Sequence, residues 1–175
     1  MEEIYLIKPT EEYIEKVADY RKEFVDAKSS MDGCGPLRRI EDPREWLAHV
    51  DLCSKKETVP ADLVQATQFL CIRKEDNRLV GMIQVRHYFN EYLEMFGGHI
   101  GYSVRPSERR KGYAKRMLKD ALKYCKEINL EKVLITCLDT NVGSRKTILR
   151  NGGVYENTVF EPNEQVNLER YWITL

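Results

Sequence analysis

The run VRPSERRKGYAKRML, from Val104 to Leu118, gathers the residues of this sequence best suited to holding an anion. Arg109, Arg110 and Lys111 stand in a row, Gly112 follows, and an apolar periodicity begins at Ala114. A helix start carries about half a unit of positive charge on unpaired N–H groups, so each exposed cation there costs about 0.3–1 kcal/mol. No Ser, Thr, Asp or Asn stands just before this helix to cap it; Ser107 lies further back, with Arg110 rather than Glu three positions after it. A bound polyanion would satisfy the open N–H groups and the cations together, and a glycine at 112 lets backbone approach it closely. The pattern predicts a phosphate site. It is neither a nucleotide P-loop nor a dinucleotide fingerprint, since G-x-x-x-x-G-K-[ST] and a strand-borne G-x-G-x-x-G are both absent.

The elements that must position this turn follow from periodicity. HIGYSV (His99 to Val104) alternates as a strand. After it, Ala114, Met117, Leu118, Ala121, Leu122, Cys125 and Ile128 line one face of a four-turn helix. KVLITCL (Lys132 to Leu138) then reads as a buried strand of the parallel type, completing a βαβ unit. Upstream, IYLIK (Ile4 to Lys8) is a strand, a helix runs to about Ala27, and Ser29 to Arg39 is dense in turn residues. Asp42-Pro43 opens a second helix, and FLCIRKEDNRLVGMIQVRHY folds back at Glu75-Asp76-Asn77 as a hairpin. Downstream, a short helix from about Gly143 to Arg150 stops at Asn151-Gly152-Gly153, and VYENTVF and LERYWITL close the chain as strands. The order β-α-α-β-β-β-α-β-α-β-β implies an α/β mixed sheet with helices on its faces, in one domain over residues 1–175.

Composition limits the partners. With 28 basic and 28 acidic residues there is no global field to recruit nucleic acid or a membrane, so anion binding must be local. No segment approaches the ~20 apolar residues of a span and no signal peptide is evident, so a cytoplasmic protein is expected. Five scattered cysteines without a C-x-x-C pair, and three histidines without H-x-x-x-H spacing, indicate neither a disulfide framework nor a metal site.

At Arg109, Gly112 and Ala114 the sequence resembles the coenzyme A signature R/Q-x-x-G-x-G/A of the GNAT N-acetyltransferase superfamily, and the likeness extends through the element order of nearly the whole chain. The resemblance implies acetyl-CoA as acyl donor, without a metal, and direct transfer to an amine acceptor in a ternary complex. It implies that the N–H groups from Arg110 through Lys111, Gly112 and Tyr113 to Ala114 hold the pyrophosphate, helped by Arg109, Lys111 and Lys115. The Val104 main chain, with Tyr102, would pair with the pantetheine arm between HIGYSV and KVLITCL, strands that splay apart in that family. NVGSRKTILRNGG resembles a second family segment, in which Asn141 and Ser144 match positions on the cofactor side. Two departures stand out: Gly153 replaces an aromatic, and Ile148 replaces a tyrosine proposed to protonate the leaving thiolate. A monomer or homodimer is implied, and a non-catalytic acyl-CoA-binding module is the alternative function.

An alkyl amine with pKa about 10.4 is neutral in roughly one molecule in 2,500 at pH 7, a deficit of about 4.6 kcal/mol that a base would offset. His99, Glu91 and Glu94 are the candidate bases, and Tyr155 is a candidate acid in place of Ile148. Cys34, in a turn with no obvious histidine partner, reads as a loop thiol rather than a nucleophile. Glu91, Glu94, Tyr88 and Tyr92 offer a wall for a cation, whereas Arg38 and Arg39 offer forked bonds to a carboxylate, so a zwitterionic acceptor is expected over a polyamine.

Overall fold

The computed structural model describes residues 2–175. Strand β1 (Ile4–Ile7) leads through a 3-10 turn (Glu11–Tyr13) into α1 (Ile14–Asp26), and α2 (Pro43–Cys53) follows the turn-rich loop. Ile14, Val17, Tyr20 and Phe24 are the buried face of α1, spaced at three to four residues as one side of a helix must be. Helix α2 begins on its sequence signal: the Asp42 carboxylate accepts the Arg44 N–H at 2.9 Å and Pro43 fills the first turn. The hairpin β2 (Ala66–Arg73) and β3 (Arg78–Arg86) precedes β4 (Ile100–Val104) and α3 (Tyr113–Glu127). Strand β5 (Lys132–Leu138), α4 (Val142–Leu149), β6 (Val154–Glu161) and β7 (Val166–Thr174) complete the expected order.

The strands form two antiparallel sheets, β1-β2-β3-β4 and β5-β7-β6. Strand β5 therefore differs from expectation: it pairs antiparallel with β7, from Lys132 opposite Thr174 to Leu138 opposite Leu168. A continuous apolar run reports burial on both faces, and says nothing of strand direction. Val133, Ile135 and Cys137 of β5 pack in one core with Met117, Leu118, Ala121 and Cys125 of α3, while α1 and α2 cover the other face of the first sheet through Tyr20, Phe24 and Trp46.

The two sheets share a core, and residue 99 ties the start of β4 to β5. The His99 N–H donates to the Leu134 carbonyl at 2.7 Å, and the Leu134 N–H donates to His99 Nδ1 at 2.9 Å. Gly98, at φ +66°, permits this approach, because a β-carbon there would stand 2.5 Å from the Leu134 oxygen. Beyond that point β4 stays with β3 and β5 with β7, so the facing edges of β4 and β5 carry no ladder. Arg86 donates its N–H to the His99 carbonyl and Arg105 donates its N–H to Val80, so residues 99 and 105 hydrogen-bond toward β3. Antiparallel pairs alternate, which turns the N–H and C=O groups of Ile100, Tyr102 and Val104 toward the gap.

Candidate active site

A cleft of about 1230 Å³ fills this gap and extends to the start of α3. Its floor is β4 from Ile100 to Val104, its far wall is Thr136 to Leu138 of β5, and Asn141 to Ser144 lead α4 along its side. Helix α3 starts at Gly112, which sits at φ +85°, without any side-chain cap and without an acidic residue in its first turn. Among the described residues, nothing lies within 4 Å of where a Gly112 β-carbon would project. Arg110 before it also has positive φ, +65°, a conformation that non-glycine residues adopt at some cost.

Two of the three consecutive cations have intramolecular partners. Arg109 donates Nε to the Val104 carbonyl at 3.1 Å and Nη2 to Ser29 Oγ at 2.7 Å, and its guanidinium lies 5.5 Å from the Phe24 ring centre. It braces the turn while still lining the cleft. Lys111 departs from expectation: its ammonium is held 2.7 Å from Glu108, a buried carboxylate also paired with Arg73 at 2.9 Å, and it does not line the cleft. Lys146 of α4 and Arg150, the residue that caps its C-terminus, line the cleft instead, together with Arg109, Arg110 and Lys115. That i, i+4 spacing on one helix face was the available signal for them. Tyr113 lines the cleft with its hydroxyl turned to Arg73 Nη1 at 3.1 Å, so what it can offer a ligand there is main chain.

Among the other expected contacts, Tyr102 and Ser144 meet directly, hydroxyl to hydroxyl at 2.7 Å, across the gap between β4 and α4. Burial pushes the Tyr102 hydroxyl pKa up. Asn141 lines the cleft and also caps α4, its side-chain oxygen accepting the Ser144 N–H at 3.0 Å. Ile148 is fully buried in the core, and a β-carbon on Gly153 would stand 2.5 Å from Ile148 Cγ2. The two departures from the family pattern are therefore one packing arrangement.

None of the candidate acid and bases is among the residues that line the cleft. Tyr155 is exposed, with its hydroxyl 2.8 Å from Thr158 Oγ1 and its ring against Tyr171, away from the cleft. Glu91 and Glu94 are exposed on the segment before β4, and neither lines the cleft. His99 is 6% exposed, stacks 4.1 Å from Phe89, and spends Nδ1 on the Leu134 N–H. Burial first, and Arg86 second, lower its pKa to about 4, so it is neutral at pH 7 and locks the point where the sheets part. Cys34 and Cys137 are buried, and burial pushes their thiols up to about 12 and about 11, which leaves them poor nucleophiles.

The end of the cleft away from α3 holds residues that sequence reasoning missed: Asp32 on the α1–α2 loop, Arg86 on β3, and Glu161 and Glu164 at the β6–β7 turn, beside Tyr92 and Phe96. Each sits in a turn or on an irregular edge, where no periodicity marks an inward side chain. Arg38 and Arg39, on which the expectation of a zwitterionic acceptor rested, do not line it. A smaller cavity of about 530 Å³ lies between α2 and the start of β2. Its buried polar groups satisfy one another, Thr67 Oγ1 standing 2.8 Å from both His87 Nε2 and the Tyr124 hydroxyl.

The splayed sheets and the uncapped helix start define a class, and comparison with known proteins gives the family. The chain belongs to the acetyltransferase (GNAT) family, whose model matches residues 36–152. It is similar to an uncharacterized N-acetyltransferase, YnaD, of Bacillus subtilis (strain 168), with 30% identity over 104 residues, covering 57% of this chain and 59% of that relative's length. Its fold is shared by a ribosomal-protein-S5-alanine acetyltransferase from Vibrio fischeri, at TM-score 0.76 and 15% identity over 99% of this chain and 94% of that one. It is shared too by the microcin C7 self-immunity acetyltransferase, solved with acetyl-CoA and AMP, at TM-score 0.72 and 17% identity over 99% and 93% of the two chains.

Proposed function

We propose that this protein is an acyl-CoA-dependent N-acetyltransferase, moving acetyl from acetyl-CoA to a primary amine of a small molecule or peptide within a ternary complex in the cytoplasm. The observation that carries the reading is the unladdered edge of β4, opening on a cleft that ends at an uncapped helix start. The N–H groups from Arg110 to Ala114 receive the pyrophosphate, with Arg109 and Lys115, with Lys146 of α4 and with Arg150 just past its end. The pantetheine amides extend along Tyr102 and Val104 as an added strand. The amine attacks the thioester carbon directly, and an edge N–H of β4 stabilises the oxyanion. With Ile148 buried, the thiolate leaves without a tyrosine at that position; an ordinary thiol pKa of about 8.5 allows this, and the Tyr102–Ser144 hydroxyl pair stands in the cleft as a nearby proton source. CoA release from acetyl-CoA in the presence of a panel of primary amines, with mass-spectrometric detection of the N-acetyl product, supports transfer. Tight acetyl-CoA binding without turnover on any amine would instead identify a non-catalytic acyl-CoA-binding module.

A further inference from the structure

The charged residues along the cleft are unevenly distributed. Arg109, Arg110, Lys115, Lys146 and Arg150 line it near α3 and α4 with one carboxylate, Glu108, whereas Asp32, Glu161 and Glu164 outnumber Arg86 elsewhere along it. Between them runs the open edge of β4. Asp32 is placed beside that edge by packing: a β-carbon on Gly33 would stand 2.3 Å from the Gly101 carbonyl oxygen and 2.5 Å from Tyr102 Cα, so the loop lies directly on β4. The loop is held there from behind, where the buried Gln68 amide donates to the Gly33 carbonyl at 2.7 Å. A rigid seat against β4 is what a group acting on the attacking nitrogen needs.

The charged and titratable groups facing Asp32 come from three sides: Arg38 and Cys34 on its own loop, Arg86 on β3, and Tyr102 on β4. Arg86 is itself committed, donating Nη1 to the carbonyls of Gly97 and Gly98 at 3.0 and 3.3 Å. Further along the wall, Tyr92 and Phe96 stack with ring centres 5.3 Å apart. Glu161 beyond them is buried, with its carboxylate fixed by the N–H groups of Asn163 and Glu164 at 3.0 and 2.7 Å. An aromatic surface ending in fixed negative charge suits an aliphatic cation.

Resting on the transfer reading above, we infer that Asp32 is the general base for the attacking amine, and that the acceptor is an aliphatic amine with a second positive charge, which sits toward Glu161 and Glu164. The acceptor ammonium loses one proton to solvent through Asp32, and the free nitrogen pair forms the N–C bond while the carbonyl π pair moves to the oxygen at the β4 edge. The nitrogen of the adduct gives its next proton to the Asp32 carboxylate, the C–S bond breaks, and the thiolate takes one proton to become CoA thiol. One proton is released overall. Asp32 stays exposed on the cleft side of the loop, while partial desolvation by the surrounding wall raises its carboxyl above the ordinary pKa, against the pull of Arg86 and Arg38, which makes it a somewhat stronger base.

The test compares cadaverine with pentylamine, which share a carbon chain and differ in the second ammonium, in an acetyl-CoA assay across pH. Wild type should favour cadaverine by about tenfold or more in kcat/KM, worth roughly 1.4 kcal/mol. Asp32→Asn should lower kcat on both amines by roughly 100-fold or more and remove the acidic limb of the profile, with acetyl-CoA affinity by calorimetry unchanged. Asp32→Glu should restore the limb. Glu164→Gln should raise KM for cadaverine and leave pentylamine alone. Retention of kcat and the acidic limb in Asp32→Asn overturns the base, and equal use of the two amines overturns the acceptor class. Wild type that binds acetyl-CoA yet acetylates no amine overturns the transfer reading itself, and the inference with it.

Discussion

Replacing His99 separates a structural role from a catalytic one. Its Nδ1 accepts the Leu134 N–H and its ring is 6% exposed, so protonation would set an N–H against an N–H in a buried place. The folded pKa is about 4, against 6.5 for the free side chain. Between those values the unfolded chain binds more protons, so stability rises with pH: the contribution is complete above about pH 6.5 and is lost as pH falls through about 4. A depression of that size corresponds to about 3 kcal/mol at 1.36 kcal/mol per unit. Carboxylates also titrate in the lower part of this window, and comparison with His99→Gln, whose amide oxygen can still accept the Leu134 N–H, cancels them. Urea unfolding at pH 7 and pH 4 should show wild type losing about 3 kcal/mol more than the variant. In the acetyltransferase assay the variant should keep the shape of the pH–rate profile. Equal pH dependence of stability in the two proteins, with loss of the acidic limb of kcat/KM in the variant, would refute the structural reading and return His99 to the role of base.

Gly112→Val should fold, since open space surrounds its β-carbon position, at a cost of about 1–2 kcal/mol for a side chain at φ +85°. It should lose acetyl-CoA binding by calorimetry, and unchanged affinity would refute the phosphate turn. Gly153→Ala should destabilise by about 1–3 kcal/mol through contact with Ile148. The penalty should shrink in an Ile148→Ala background, a coupling that urea melts of the four proteins would measure. Tyr155→Phe removes only a bond to Thr158 on an exposed strand, so kcat should change by a few-fold at most, and a thousandfold loss would contradict its placement.

The uncapped helix start was legible because its signals are local in sequence. Cations, glycine, a missing cap and a helical periodicity fall within one stretch, and the uncapped start at Gly112 follows from them. The splay was legible only through family resemblance; the residues by themselves suggested a parallel β5, because apolarity encodes burial and not pairing. The pairing of Lys111 with Glu108 was not legible, because Glu108 is three residues away yet buried by the fold, which no charge pattern reveals. The far part of the cleft was legible only in part: Tyr92 was expected in a wall for a cation, whereas Asp32, Arg86 and Glu161 were not singled out. These four come from separate segments, and each comes to line the cleft only where Gly33 settles on Gly101 and the β6–β7 turn closes the wall. The exposed carboxylates at Glu91 and Glu94 drew attention by type, although nothing in the spacing told which way they would point.

The central claim, that acetyl-CoA lies along the open edge of β4 with its pyrophosphate on the start of α3, is tested most directly by a titration of the backbone amide resonances with acetyl-CoA. The largest shifts should fall at Tyr102 and Val104 and from Arg110 to Ala114, saturating together at one affinity. Undisturbed resonances there, with the response concentrated around Thr67 and His87 in the smaller cavity, would contradict it.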